Sequence, residues 1–254
     1  MPHPPVNIGE PFISFSQVGS TNDEARKAIQ ENVATHGMVF FSSNQVAGRG
    51  QRGKSWWGEP GASLAMSVII KPDFLTVLQQ FELNKALSVG IWEGIAPFGE
   101  QDAFRIKWPN DLYWKNKKLG GMLIESVLSA SGQWSWAITG IGININQERF
   151  DPSLPNPVSL FQITGQKHDP KQVALALCSS LSIRLESLQT QDSTAVHEAY
   201  DQLLYKKGEV AQFKTADRTF SAVVNGVTEN GELLLEGEPV GFANGSLEWI
   251  QQDQ

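Results

Sequence analysis

KWPNDLYWKNKKLGGMLIE, Lys107 to Glu125, decides what kind of sheet this chain builds. Arg105 to Lys107 reads as a short strand, and Pro109 breaks it. Leu112 to Trp114 and Leu119 to Leu128 are β-type runs flanking a polar tip, Lys115-Asn116-Lys117, which is a hairpin pattern. Neighbouring strands joined by hairpins, among helices, favour an α+β fold with a mixed sheet over a doubly wound parallel one. Asn110 and Asp111 stand at the mouth of the turn. Lys118 precedes Gly120 and Gly121, and two residues without side chains let a flat ligand lie against the backbone. Lys107 and Lys118 can both reach an anion held between the strands. Lys115 and Lys117 read as a solvated tip.

Working outward, Thr21 and Glu24 have the spacing of a capping box at a helix start, with Ala25, Ala28 and Ile29 as the apolar stripe behind it. Met38 to Phe41 and Leu64 to Ile70 are apolar strands on either side of a glycine-rich basic loop, Gly48 to Gly61. Phe81 to Ile95 has helical periodicity, and Trp134 to Ile145 alternates as a strand. Asp151 to Pro157 is a proline-rich loop; Lys171 to Leu188 and Thr194 to Leu204 read as helices. Beyond Tyr205 the pattern changes to short β runs at Val210 to Phe213, Phe220 to Val227, Glu232 to Leu235 and Gly245 to Ile250. Asn225-Gly226, Asn230-Gly231 and Asn244-Gly245 punctuate them. These runs predict a small β-barrel or sandwich. The expected division is residues 1–205 and 206–254.

The 254 residues carry a formal net charge of -7, with 41% hydrophobic and 19% charged residues. That is a soluble globular balance, with no apolar run of the roughly 20 residues needed to span a bilayer. Basic residues cluster only locally, which argues against a nucleic-acid footprint. A single cysteine, Cys178, excludes an internal disulfide framework, and His3, His36, His168 and His197 show no metal-ligand spacing, so no protein metal site is expected. The N-terminus has no secretion signal, and the expected location is cytoplasmic.

Two further segments carry chemistry. GRGQRGKSW, Gly48 to Trp56, offers backbone amides at its glycines and charge-assisted donors at Arg49, Arg52 and Lys54. It lacks the spacing of a P-loop. GIGININ, Gly140 to Asn146, places glycines and then Asn144 and Asn146 on one strand face, with Ile141, Ile143 and Ile145 on the other.

Together these segments resemble the biotin–protein ligase family: STN at Ser20 to Asn22, GRG at Gly48 to Gly50, KWPND at Lys107 to Asp111, Lys118 to Gly121, and GxGxN at Gly140 to Asn144, in the family's order. The resemblance covers nearly the whole chain. With the STN motif beginning at residue 20, it looks like the monofunctional form without an N-terminal DNA-binding domain.

The resemblance implies a class II synthetase-like catalytic core with a small SH3-like C-terminal barrel, acting as a monomer or homodimer. The implied reaction uses ATP and Mg²⁺ to convert biotin to biotinyl-AMP and passes it to a lysine of a biotin carboxyl carrier protein, an acetyl-CoA carboxylase subunit. By the same resemblance Ser20, Thr21, Asn22, Gln45, Arg49, Gly50, Gln51, Lys118, Gly120 and Gly121 line the biotin pocket. Arg52, Lys54, Trp56, Lys107, Asn110 and Asn144 contact ATP, while Lys118, Arg49 and Asp111 are catalytic. Gln51 stands where some members carry arginine. The alternatives are a lipoate or octanoyl ligase-transferase of the same superfamily and a non-catalytic biotin-sensing regulator.

Overall fold

The computed structural model describes residues 7–50, 53, 55–56, 58–190 and 193–250. Strand β1 (Phe12–Phe15) runs parallel to β2 (Val39–Ser42), and helix α1 (Thr21–Gln30) makes the crossover such a pair requires. The glycine-rich loop is not wholly irregular: β3 (Gly48–Arg49) and β4 (Ser55–Trp56) pair within it as a short ribbon. Next come β5 (Ser63–Ile70), helix α2 (Gln80–Ile95), then β6 (Phe104–Lys107), β7 (Asp111–Trp114), β8 (Lys117–Leu128) and β9 (Trp134–Asn144). The seven-stranded sheet has the order β1-β2-β5-β9-β8-β7-β6, antiparallel except at its β1 edge.

Helix α3 (Leu160–Thr164) starts at a capping box between Ser159 and Gln162 and stops at Gly165, whose φ of 72° is left-handed. The sequence reading missed it because one helical turn offers no periodicity to detect. Helix α4 (Pro170–Gln189) has Asp169 as N-cap and proline at its first position, and α5 (Ser193–Gln202) follows. A four-stranded antiparallel sheet closes the chain: β10 (Val210–Lys214), β11 (Thr219–Val227), β12 (Leu233–Leu235) and β13 (Glu248–Ile250), in the order β12-β11-β10-β13.

The large sheet is covered differently on its two faces. On one, Leu64, Met66, Val68, Ile141 and Ile143 pack under α2 and α4 through Leu83, Leu87, Ile91, Leu177 and Leu181. This explains why β5 is buried along its full length and shows no alternation. On the other, Phe40, Ile69 and Ile138 pack under Ala25 and Ala28 of α1. Helix α1 covers only one end of that face. A third cluster joins the small sheet to the rest: Phe213, Val224, Leu233 and Leu235 pack with Val89, Ile106, Trp108, Tyr200 and Leu204. Among the described residues no helix is long and apolar enough to cross a membrane. Cys178 lies in the core, where burial pushes its thiol up to about 12.

Helices α2 and α4 approach closely because Gly90 and Gly94, one turn apart, face α4. A Cβ on Gly94 would lie 2.8 Å from Leu177 Cδ2 and 3.1 Å from Leu177 Cα. Gly94→Val is therefore expected to lower the unfolding free energy by about 1–3 kcal/mol through overpacking, read from urea denaturation followed by circular dichroism.

Candidate active site

The uncovered part of the α1-side face is a trough made by register. Ser42 pairs with Ala65, Ala65 with Gly142, Gly142 with Gly121, and Gly121 with Asp111, so one row of small residues crosses from β2 to β7. In the adjacent row Ser67 lies opposite Gly140. The glycines are required because other groups occupy the space. A Cβ on Gly140 would sit 2.4 Å from Asn22 Oδ1, one on Gly142 2.4 Å from the Trp56 indole, and one on Gly121 2.5 Å from Asp111 Oδ1. Trp56, carried by β4, thus lies across the middle of the trough.

A chain of hydrogen bonds walls one end. Gln45 Oε1 accepts from the Thr21 backbone N–H at 2.8 Å and from the Thr21 hydroxyl at 3.2 Å. Ser67 Oγ lies 2.7 Å from Thr21 Oγ1 and donates to Asn22 Oδ1 at 2.5 Å. Asn22 Nδ2 donates to Glu125 Oε2 at 2.6 Å, and Arg26 holds the other oxygen of Glu125 at 2.9 Å. The expected capping box does not form: Ser20 is the N-cap, and the Thr21 hydroxyl is engaged by Gln45 and Ser67. Ser20, Thr21, Asn22 and Ser67 are all buried, so this wall is fixed before any ligand arrives.

The other end is cationic. Lys118 Nζ pairs with Asp111 Oδ1 at 2.7 Å. A bulge makes that possible. Gly120 pairs with Leu112 but Lys118 pairs with Tyr113, leaving Leu119 as an extra residue. Strict alternation back from Gly121 would put Lys118 on the opposite face; the bulge turns it toward Asp111. Residues 156–158 pin the strand there, with the Lys118 N–H donating to Asn156 O at 2.8 Å and the Val158 N–H to Lys118 O at 2.9 Å. Lys107 Nζ donates to Tyr113 Oη at 3.1 Å. Burial lowers Lys107 to about 8; Asp111 opposes the shift, and Lys118 and Lys206 add to it.

Several sequence-predicted residues sit elsewhere than expected. Only Gly121 of the glycine pair faces the trough. Gly120 faces β9, where a Cβ would meet Gly142 O at 2.4 Å and Ile143 Cδ1 at 2.5 Å. Asn144 spends its side chain on protein, donating to Val158 O at 3.0 Å and accepting from Gln147 at 3.2 Å. Asn110 is buried behind Asp111. Arg49 reaches back to an ion pair with Asp23, and Gly50 follows it at the end of β3. Gln51, Arg52 and Lys54 lie outside the described residues. Ser67, Glu125, Arg26 and Tyr113 were missed by the sequence reading. A serine inside SLAMSVII and a glutamate inside GGMLIESVL are polar residues in apolar strands, and that was the available signal.

A mixed sheet bearing a small-residue trough, polar at one end and cationic at the other, defines a site for an elongated anionic ligand. A model of the Biotin/lipoate A/B protein ligase family matches residues 14–144, and the chain belongs to that family. The bifunctional ligase/repressor BirA of Bacillus spizizenii is 29% identical over 235 residues, covering 90% of this chain and 70% of that protein. The biotin–[acetyl-CoA-carboxylase] ligase of Paracoccus denitrificans is 26% identical, with 88% and 93% covered. The biotin protein ligase of Aquifex aeolicus, solved in complex with biotin and ATP, superposes with a TM-score of 0.75 at 26% identity, covering 94% of this chain and 98% of that one.

Removing the Ser67 hydroxyl leaves Asn22 Oδ1 buried with one donor fewer. Ser67→Ala is expected to cost about 1–3 kcal/mol of stability, measured by urea unfolding. A change under 0.5 kcal/mol on the same scale would show that water replaces the hydroxyl at no cost.

Proposed function

We propose that this chain is an ATP-dependent biotin–protein ligase that makes biotinyl-AMP and transfers biotin to a carrier lysine. The observation that carries this reading is the small-residue row from Ser42 to Gly121 ending on the Asp111–Lys118 pair. A bicyclic head with a hydrocarbon tail suits a trough floored by small residues and crossed at its middle by the Trp56 indole. Its ureido group needs donors and acceptors, and Thr21, Asn22, Gln45 and Ser67 offer both. Its carboxylate needs a cation at the far end, and Lys118 supplies one.

A carboxylate is a poor acyl donor until its oxygen becomes a good leaving group. One carboxylate oxygen attacks the α-phosphorus of ATP, and the bond from that phosphorus to the bridging oxygen breaks, releasing pyrophosphate. Lys118, oriented by Asp111, neutralises charge shared by carboxylate and phosphate, and Lys107 serves the phosphates. In the second half-reaction the carrier amine attacks the acyl carbon, the C–O bond to AMP breaks, and the amine proton is lost. Arg49 and Gly50 on the glycine-rich loop keep water from the mixed anhydride. Asn144 contributes by holding residues 147 and 158 in place. Among the described residues, no group of three or more His, Cys, Asp or Glu could hold a metal. Mg²⁺ accompanying ATP would be held by phosphate oxygens and water with at most one or two protein oxygens.

The test is ATP–pyrophosphate exchange with biotin or lipoate as the acid. Exchange is expected with biotin; exchange with lipoate alone would overturn the substrate assignment. Lys118→Ala is expected to slow biotin-dependent exchange by roughly 10²–10³ while leaving the melting temperature nearly unchanged. A rate within a few-fold of wild type would remove Lys118 from the chemistry.

Lys107 gives a pH dependence of definite sign. A lysine lowered to about 8 loses its charge as pH rises through that value, so the phosphate-binding cation is present below it and absent above. kcat/KM for ATP is expected to fall above pH of about 8 in the wild type. Lys107→Arg keeps its charge and should flatten that limb. An identical limb in the variant would assign it to another group.

A further inference from the structure

The small sheet reaches the cationic end of the trough at Trp249. Trp249 lies on β13, the edge strand of that sheet, opposite Phe213 of β10. Phe213 is fully buried, and its ring centroid is 4.8 Å from that of Trp249. Trp249 therefore rests on a fixed support. Its other neighbours belong to the site. The Lys107 ammonium stands 5.3 Å from the Trp249 ring centroid and 4.8 Å from that of Tyr113. Tyr205 bridges the two rings, with centroids 5.2 Å from Tyr113 and 5.8 Å from Trp249. Its hydroxyl is tied to Asn116 at 2.8 Å. The rings of Tyr113 and Trp249, from separate segments, thus flank one ammonium, and Tyr205 packs against both rings.

We propose that Trp249 is a positioning residue for Lys107, one wall of an aromatic cage that fixes the ammonium where phosphate oxygens would bind and keeps water from it. The proposal rests on the ligase reading for its catalytic consequence, but not for the cage. A ring has two separable effects on a neighbouring cation. Its face attracts the charge through the π quadrupole, and its bulk excludes water, which penalises the charge. The charged and titratable groups facing Lys107 are Asp111, Lys118, Lys206 and Tyr113. All of them lie outside β13, so a substitution at Trp249 leaves them in place.

Two variants separate the effects. Trp249→Leu keeps apolar bulk and loses the ring face. The Lys107 titration should move below its wild-type value of about 8, by about half a pH unit. KM for ATP should rise about three- to ten-fold with little change in kcat. Trp249→Ala admits water, and the titration should move up instead. The readouts are the alkaline limb of kcat/KM for ATP and, without any substrate, the titration of Lys107 by NMR of lysine-labelled protein, assigned by its absence in Lys107→Arg. A residue that merely stabilised the fold would lower the melting temperature and the active fraction without shifting either titration.

Shifts of opposite sign in the two variants support the proposal; no shift, or shifts of the same sign, overturns it. If Trp249→Ala does not fold, Trp249→Leu decides alone: a lowered titration supports the cage and an unchanged one overturns it. If the wild type shows no biotin-dependent exchange, the ligase reading fails, while the NMR titration still judges the cage.

Discussion

The row of small residues across the large sheet is the constraint on which the site depends. A sheet face normally projects a side chain at every second residue, and here Ser42, Ala65, Gly142 and Gly121 project almost nothing. The space belongs to groups arriving from other elements: the Asn22 amide from α1, the Trp56 indole from β4 and the Asp111 carboxylate from β7. The cost is the packing that larger residues would have provided. The opposite face offsets it with two long helices over Leu64, Met66, Val68, Ile141 and Ile143. One strand therefore does both jobs: in β9, isoleucines hold the core on one side while glycines make room for Asn22 and Trp56 on the other.

Much of this was legible along the chain. The hairpin in residues 107–125, the long helices and the β character of the last segment are local patterns, and they appear close to their expected bounds. What escaped depends on register or on distant partners. Nothing in KKLGG says that Leu119 is a bulge, yet the bulge decides which face Lys118 presents. Ser67 and Glu125 are single polar residues in apolar strands, and they gain meaning only once α1 brings Asn22 and Arg26 to them. Thr21 misled for the opposite reason. Its spacing from Glu24 fits a cap, but Gln45 and Ser67 engage the hydroxyl. Asn144 stands out because an asparagine after alternating glycines is unusual, but nothing along the chain says that its side chain fastens Val158 and Gln147.

The KWPND turn is held from behind by the last part of the chain. Tyr200 donates its hydroxyl proton to Pro109 O at 2.9 Å, and Trp108 donates its indole N–H to Gly231 O at 2.9 Å. The Phe81 ring fits between these contacts, edge-on to Tyr200, at the place where a Cβ on Gly231 would lie. The division expected near residue 205 is thus crossed by the Trp108–Gly231 hydrogen bond and by a common apolar core.

That shared core has a consequence for modularity. Trp108 and Ile106 would lose their cover if the small sheet came away, exposing apolar surface directly beneath the turn that carries Asn110 and Asp111. The two parts should therefore melt in one calorimetric transition rather than two. Inheritance is constrained in the same way. A C-terminal sheet transplanted from a relative would have to bring its own fit to Trp108, Tyr200 and Phe81, so the two parts are expected to diverge as a coupled pair and not as interchangeable cassettes.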